Sequence, residues 1–137
     1  MNMELKNKIE EEIEKRDVTP KGIINSVKNS LNGIMGYAKE GKSIVIFLFG
    51  VVFEILMGFS YNINGLEWIL IICILGIILA VELINTAIEN TCDAISKDYN
   101  IFIKNAKDCG SAATFVIFLV AIILNIIIFL PKVIVLF

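Results

Sequence analysis

Three apolar runs dominate the chain: IVIFLFGVVFEILMGF at 44–59, LEWILIICILGIILAVELINTAI at 66–88 and AATFVIFLVAIILNIIIFL at 112–130. Each approaches the roughly 20 residues that a helix needs to cross a bilayer. The pattern therefore predicts an all-α membrane protein with three spans, at 43–60, 66–95 and 101–130. Upstream the apolar positions thin to a helical period. Ile23, Ile24, Val27, Leu31, Ile34 and Met35 share one side, and Lys21, Asn25, Lys28, Asn29 and Asn32 take the other. Thr19 suits an N-cap and Pro20 a first helical position. An amphipathic helix over 20–41 beside a membrane span is expected to lie in the interface. Residues 1–19 form a charged extension, with 4–17 reading as a short solvated helix. SYNING at 60–65 and SKDYN at 96–100 break the helical pattern as turns, Trp68 stands where an interfacial anchor would, and Pro131 is expected to close the third span.

Charge sharpens this picture by giving it a direction. Lys6, Lys8, Lys15, Arg16, Lys21, Lys28, Lys39 and Lys42 precede the first span. The first turn has no basic residue, the segment after the second span has Lys97, Lys104 and Lys107, and only Lys132 follows the third run. Basic residues favour the cytoplasmic side, so the N-terminus and second turn are expected inside, and the first turn and C-terminus outside. Hydrophobic residues make up 57% of the chain and charged residues 19%, with a net charge of −2. That balance carries no nucleic-acid footprint. The opening MNMELKNKIEEEIEKRD lacks the apolar core of a signal peptide. Cys73, Cys92 and Cys109 have no CxxC spacing and read as packing residues. The chain has no histidine, so acid–base or metal chemistry falls to carboxylates.

The second span carries such carboxylates in an ordered way. Glu82, Asn85, Glu89 and Asp93 return to nearly one helical face. Glu82 is ~10 Å deeper along the axis than Glu89, where an unpaired charge is costly. The next helix has its own polar stripe of Lys104, Lys107, Asp108 and Ser111. A turn at 96–100 makes the two helices antiparallel neighbours, so the stripes are expected to meet. A deep carboxylate suits taking a proton from a hydroxyl. Shallower carboxylates suit Mg²⁺ bearing phosphate oxygens, and a nearby lysine neutralises phosphate. These are parts for phosphoryl transfer to something dissolved in the membrane. Three alternatives use the same groups: a structural ion-pair cluster, a proton or cation path through Glu54, Glu82 and Glu89, and a catalytically weak scaffold.

One motif points elsewhere. GYAKEGKS at 36–43 fits the phosphate-loop pattern GxxxxGK[ST], which needs a preceding strand and an α/β sheet. An amphipathic helix precedes it and a span follows, so no sheet is available. Lys42 and Ser43 still open a helix whose free N–H groups could attract phosphate.

Residues 81–113, VELINTAIENTCDAISKDYNIFIKNAKDCGSAA, resemble the signature region of the prokaryotic diacylglycerol kinase and undecaprenol kinase family, through ELxN[ST]AIExxxD followed by AKDxGSAA. The resemblance covers about residues 22–132. It implies a homotrimeric, ATP- and Mg²⁺-dependent lipid kinase of the bacterial plasma membrane, with active sites shared between subunits. Its implied substrate is undecaprenol, otherwise diacylglycerol. By the same resemblance Glu82 is the general base on the lipid hydroxyl, and Glu89 binds the metal carrying the ATP phosphates. Asn85, Lys107 and Asp108 line the catalytic centre, Asp98 and Tyr99 lie near the nucleotide, and Ser111 lies near the lipid headgroup. AKEGKSI stands where the family carries an acidic residue before the first span. Glu40 is the candidate second metal ligand there, with its spacing one residue short. Asn100 stands where family members often have histidine.

Overall fold

The structure, a computed structural model, describes residues 3–5, 20–40 and 42–135, without the side chains of Glu40 and Lys42. The expected N-cap Thr19 and all but the first two residues of the expected 4–17 helix lie outside the described residues. Two compact units divide the chain, Met1–Lys39 and Glu40–Phe137. Helix α1 runs Pro20–Glu40, opened by the proline whose fixed φ and missing N–H cost nothing at a first helical position. Its apolar positions Ile23, Ile24, Val27, Leu31, Ile34 and Met35 are all exposed.

The second unit holds three helices long and apolar enough to cross a membrane: α2 (Lys42–Ser60), α3 (Gly65–Ile95) and α4 (Ile101–Ile134). The chain is a membrane protein, and Val45, Phe49, Leu66, Ile72, Phe115 and Ile127 stand exposed on these apolar helices. No strand occurs among the described residues, so the phosphate-loop pattern at 36–43 has no sheet to serve.

Local chemistry sets the turn between α2 and α3. Asn62 has φ 47°, a left-handed conformation that asparagine tolerates better than most residues. Ile63 N donates to Gly58 O at 3.1 Å and Asn62 N to Phe59 O at 3.3 Å. Together these bonds close a Schellman motif that satisfies the last carbonyls of α2. Asn64 then caps α3 in a reciprocal box: Glu67 N donates to Asn64 Oδ1 at 3.0 Å, and Asn64 N to Glu67 Oε2 at 2.7 Å. Glu67 Oε2 also accepts Lys132 Nζ at 3.0 Å, tying the start of α3 to the end of α4.

Beneath this cap lies an apolar cluster. Ile63, Ile71, Ile128 and Phe129 are buried, with Met57, Tyr61, Trp68, Leu75 and Leu124 packed against them. Trp68 lies so close to Gly58 that a Cβ there would collide with its ring. A second cluster of Ile74, Ile78 and Ala121 continues inward. Helices α3 and α4 pack as an antiparallel hairpin, whereas α2 meets α3 more sparsely.

Two expectations change here. Pro131 does not end the third helix; it sits inside α4, which continues to Ile134. The proline has no N–H to give the carbonyl of Ile127 one turn back, but only one further turn follows it, and Val135 N still reaches Pro131 O at 3.3 Å. Glu54 is 8% exposed and has a partner the sequence did not reveal. Asn125 Nδ2 donates to Glu54 Oε1 at 2.7 Å and to Ala121 O at 3.0 Å. The pair borders an apolar cleft of about 340 Å³ walled by Ile46, Phe47, Ile78 and Phe118.

Candidate functional site

Away from the capped end, the α3–α4 hairpin turns polar. Glu82 is 9% exposed, held among apolar neighbours by the helical phase that buries Ile71, Ile74 and Ile78. Asn85 follows one turn on and donates its Nδ2 to Glu89 Oε1 at 3.1 Å. This fixes one carboxylate oxygen of Glu89 and leaves the other for a further ligand. Asn85 itself is wedged against α4. Its Oδ1 is buried without a hydrogen-bond partner, and a Cβ on the buried Gly110 would collide with that oxygen. The glycine therefore permits the close approach that seats Asn85.

Farther along, the stripes of the two helices meet. Lys107 Nζ reaches Asp93 Oδ1 at 2.5 Å, joining α4 to α3 across the hairpin. The turn is closed by its own polar side chains. Ser96 Oγ accepts Asp98 N at 3.0 Å. Asn100 caps α4 by accepting Phe102 N at 2.8 Å and Ile103 N at 3.4 Å. Asn100 thus has a structural task. A cavity of about 490 Å³ opens at this turn, bordered by Asp93, Lys97, Asp98, Tyr99, Lys104 and Lys107. Three lysines against two aspartates leave this lining with an excess of one positive charge, which favours an anion.

The structure thus brings together Asn85 with Glu89, and Asp98 and Tyr99 with Lys107, on one polar end. It does not bring Asp108 across to α3. Asp108 pairs with Lys104 of its own helix at 2.6 Å, with both side chains largely exposed. Successive helical residues point about 100° apart, and here Lys107 is the one of the two that pairs with α3. Ser111 is exposed. Glu40 ends α1, and its side chain lies outside the described residues. Sequence reasoning missed Lys97 and Lys104 as cavity residues and Gly110 as the seat of Asn85. The lysines were visible as basic residues, Lys97 within SKDYN and Lys104 just after it, and the glycine as the small residue level with Asn85 in an antiparallel hairpin.

The residues present fit a magnesium ion that brings most of its ligands with it. Among the described residues no group of three or more His, Cys, Asp or Glu side chains gathers, so there is no all-protein cage. Mg²⁺ in kinases is held by one or two carboxylates plus substrate phosphates, and Glu89 offers one oriented carboxylate beside the lysine-lined cavity. All three cysteines are free.

Comparison with known proteins shows the family. The family described as prokaryotic diacylglycerol kinase matches residues 28–129. The undecaprenol kinase of Bacillus subtilis is 36% identical over 57% of this chain, a match that spans 63% of that relative's length. The diacylglycerol kinase of Pseudomonas aeruginosa is 38% identical over 70% of this chain and 78% of its own. That of Haemophilus influenzae is 32% identical over 69% of this chain and 80% of its own.

Proposed function

This chain belongs to the prokaryotic diacylglycerol kinase family, and from that premise we propose that it is an ATP-dependent kinase of a membrane lipid alcohol. One observation carries the reading. A single helical face grades from a buried carboxylate, Glu82, through the Asn85–Glu89 pair to the Asp93–Lys107 ion pair at a lysine-lined cavity. The deep end suits an alcohol dissolved in the bilayer, and the shallow end suits a water-borne nucleotide.

Each residue then has a task. The cavity at the 96–100 turn takes ATP, with Asp98 and Tyr99 beside the nucleoside and Lys107 toward the phosphates. Glu89 would hold Mg²⁺, oriented by Asn85, with Glu40 as a second ligand. The ion, when bound, offsets charge on the nucleotide phosphates. Glu82 accepts the proton of the lipid hydroxyl as its oxygen bonds the γ-phosphorus. The bond from that phosphorus to the β-bridging oxygen breaks, and ADP leaves. Burial of Glu82 excludes water that would compete with the lipid alcohol. Lys107 stabilises charge on the transferring group, Asp108 holds Lys104 of the cavity, and Ser111 meets the lipid headgroup. The working form is a homotrimer with shared sites in the bacterial plasma membrane. In it the N-terminus and the 96–100 turn face the cytoplasm, the C-terminus faces outside, and α1 lies in the interface.

Undecaprenol is the first candidate substrate, supported by the name of the Bacillus subtilis relative. Diacylglycerol is the second, supported by the Pseudomonas aeruginosa relative. The test offers purified protein ATP and Mg²⁺ with undecaprenol, diacylglycerol or a short-chain alcohol in mixed micelles. ATP-dependent phosphorylation of undecaprenol above the others is expected. Ion flux in liposomes without ATP, and no phosphorylated lipid, would sink the reading in favour of conduction.

A further inference from the structure

We propose that Asp93 is a positioning residue for Lys107, holding its ammonium at the cavity mouth in the pose needed for phosphoryl transfer; the inference rests on the kinase reading above. The 2.5 Å contact between Lys107 Nζ and Asp93 Oδ1 is the ion pair that joins the two helices of the polar end. The side chains are 35% and 57% exposed, and ion pairs this open to solvent contribute little to stability. A purely structural clasp would gain little from that position.

Three features assign the pair to orientation. Lysine is a point charge on a flexible four-carbon stem, so an unheld Lys107 would spread its ammonium over many positions. Asp93 lies one turn beyond Glu89 on the same face of α3, so it registers Lys107 to the Asn85–Glu89 pair. The other charged pair at this end, Lys104 with Asp108, lies within α4 and cannot register one helix to the other. Asp93 is itself a poor phosphate ligand, because two anions repel. Its benefit to a nucleotide reaction therefore passes through Lys107, and its own charge opposes nucleotide binding.

That opposition gives the test its signature. Lipid phosphorylation and ATP affinity are measured for the wild-type protein, Asp93→Asn, Asp93→Glu, Lys107→Met and the Asp93→Asn/Lys107→Met double variant. Thermal unfolding in detergent checks folding. Asp93→Asn is expected to lower kcat roughly 10- to 100-fold, the scale of misplacing a catalytic group by about 1 Å. Its ATP affinity is expected to stay level or tighten. Asp93→Glu should recover part of kcat, and Asp93→Asn should add nothing in the Lys107→Met background. Parallel losses in kcat and affinity, or the same loss with Met at 107, would overturn the positioning role while leaving the kinase reading intact. So would an unaltered kcat in a folded Asp93→Asn protein. If that variant does not fold, Asp93→Glu decides: a partial loss of kcat with ATP affinity unchanged, and no such loss in the Lys107→Met background, supports positioning, whereas full wild-type kcat or a loss with weaker ATP binding overturns it. A wild-type protein that phosphorylates no lipid sinks the kinase reading itself, and this inference with it.

Discussion

Helix α3 has two ends built on opposite principles. At its start, Asn64, Glu67 and Lys132 form a closed set in which Glu67 Oε2 receives both Asn64 N and Lys132 Nζ, above the buried Ile71–Ile128–Phe129 cluster. At its other end the charged groups are exposed, the cavity is polar, and one oxygen of Glu89 is unengaged among the described residues. Buried apolar area stabilises a helix pair irrespective of ligand. Exposed ion pairs stabilise little but can exchange partners with a ligand. The difference separates a stability end from a chemistry end on one continuous helix.

Substitutions at the two ends should therefore fail in different measurements. The largest effect is expected at Glu82. Glu82→Gln keeps the shape and removes the proton acceptor, so lipid phosphorylation should fall roughly 10²- to 10⁴-fold with the unfolding temperature little changed. A variant retaining most of its turnover would remove Glu82 from the chemistry. Next is Gly58→Ala, whose new methyl collides with Trp68. Overpacking of this kind costs about 1–3 kcal/mol, read as a lower melting temperature, with turnover per folded molecule unchanged. Gly110→Ala should show the reverse. Its methyl meets the movable amide of Asn85, so stability should change little. Turnover and Mg²⁺-dependent nucleotide binding should fall about tenfold, as for a lost metal-orienting contact. Were Gly110→Ala to melt early and Gly58→Ala to lose activity, the division between ends would be wrong. Asn64→Ala, which removes a capping box, should cost only about 1 kcal/mol, with no kinetic effect.

The chemistry end was the more legible of the two. Hydrocarbon demands long apolar runs, so all three spans stood out, and the helical period alone aligned Glu82, Asn85, Glu89 and Asp93. What stayed hidden needs the register between helices. Glu67 and Lys132 meet across most of the hairpin, and Glu54 and Asn125 are 71 residues apart. Asp108 had the spacing of a shared stripe with Lys107, yet one step around the helix gave it to Lys104. Pro131 reads as a stop in sequence, but a helix tolerates it where few further bonds depend on it.

The division of labour along the stripe is tested most directly by titrating ATP against Glu82→Gln and Glu89→Gln, each with and without Mg²⁺. Glu82→Gln should bind Mg²⁺–ATP as the wild-type protein does while failing to phosphorylate lipid. Glu89→Gln should lose roughly 10- to 100-fold in Mg²⁺-dependent affinity and bind metal-free ATP unchanged. Lost nucleotide binding in Glu82→Gln, with none lost in Glu89→Gln, would contradict the assignment of the deep carboxylate to the lipid and the shallow one to the nucleotide.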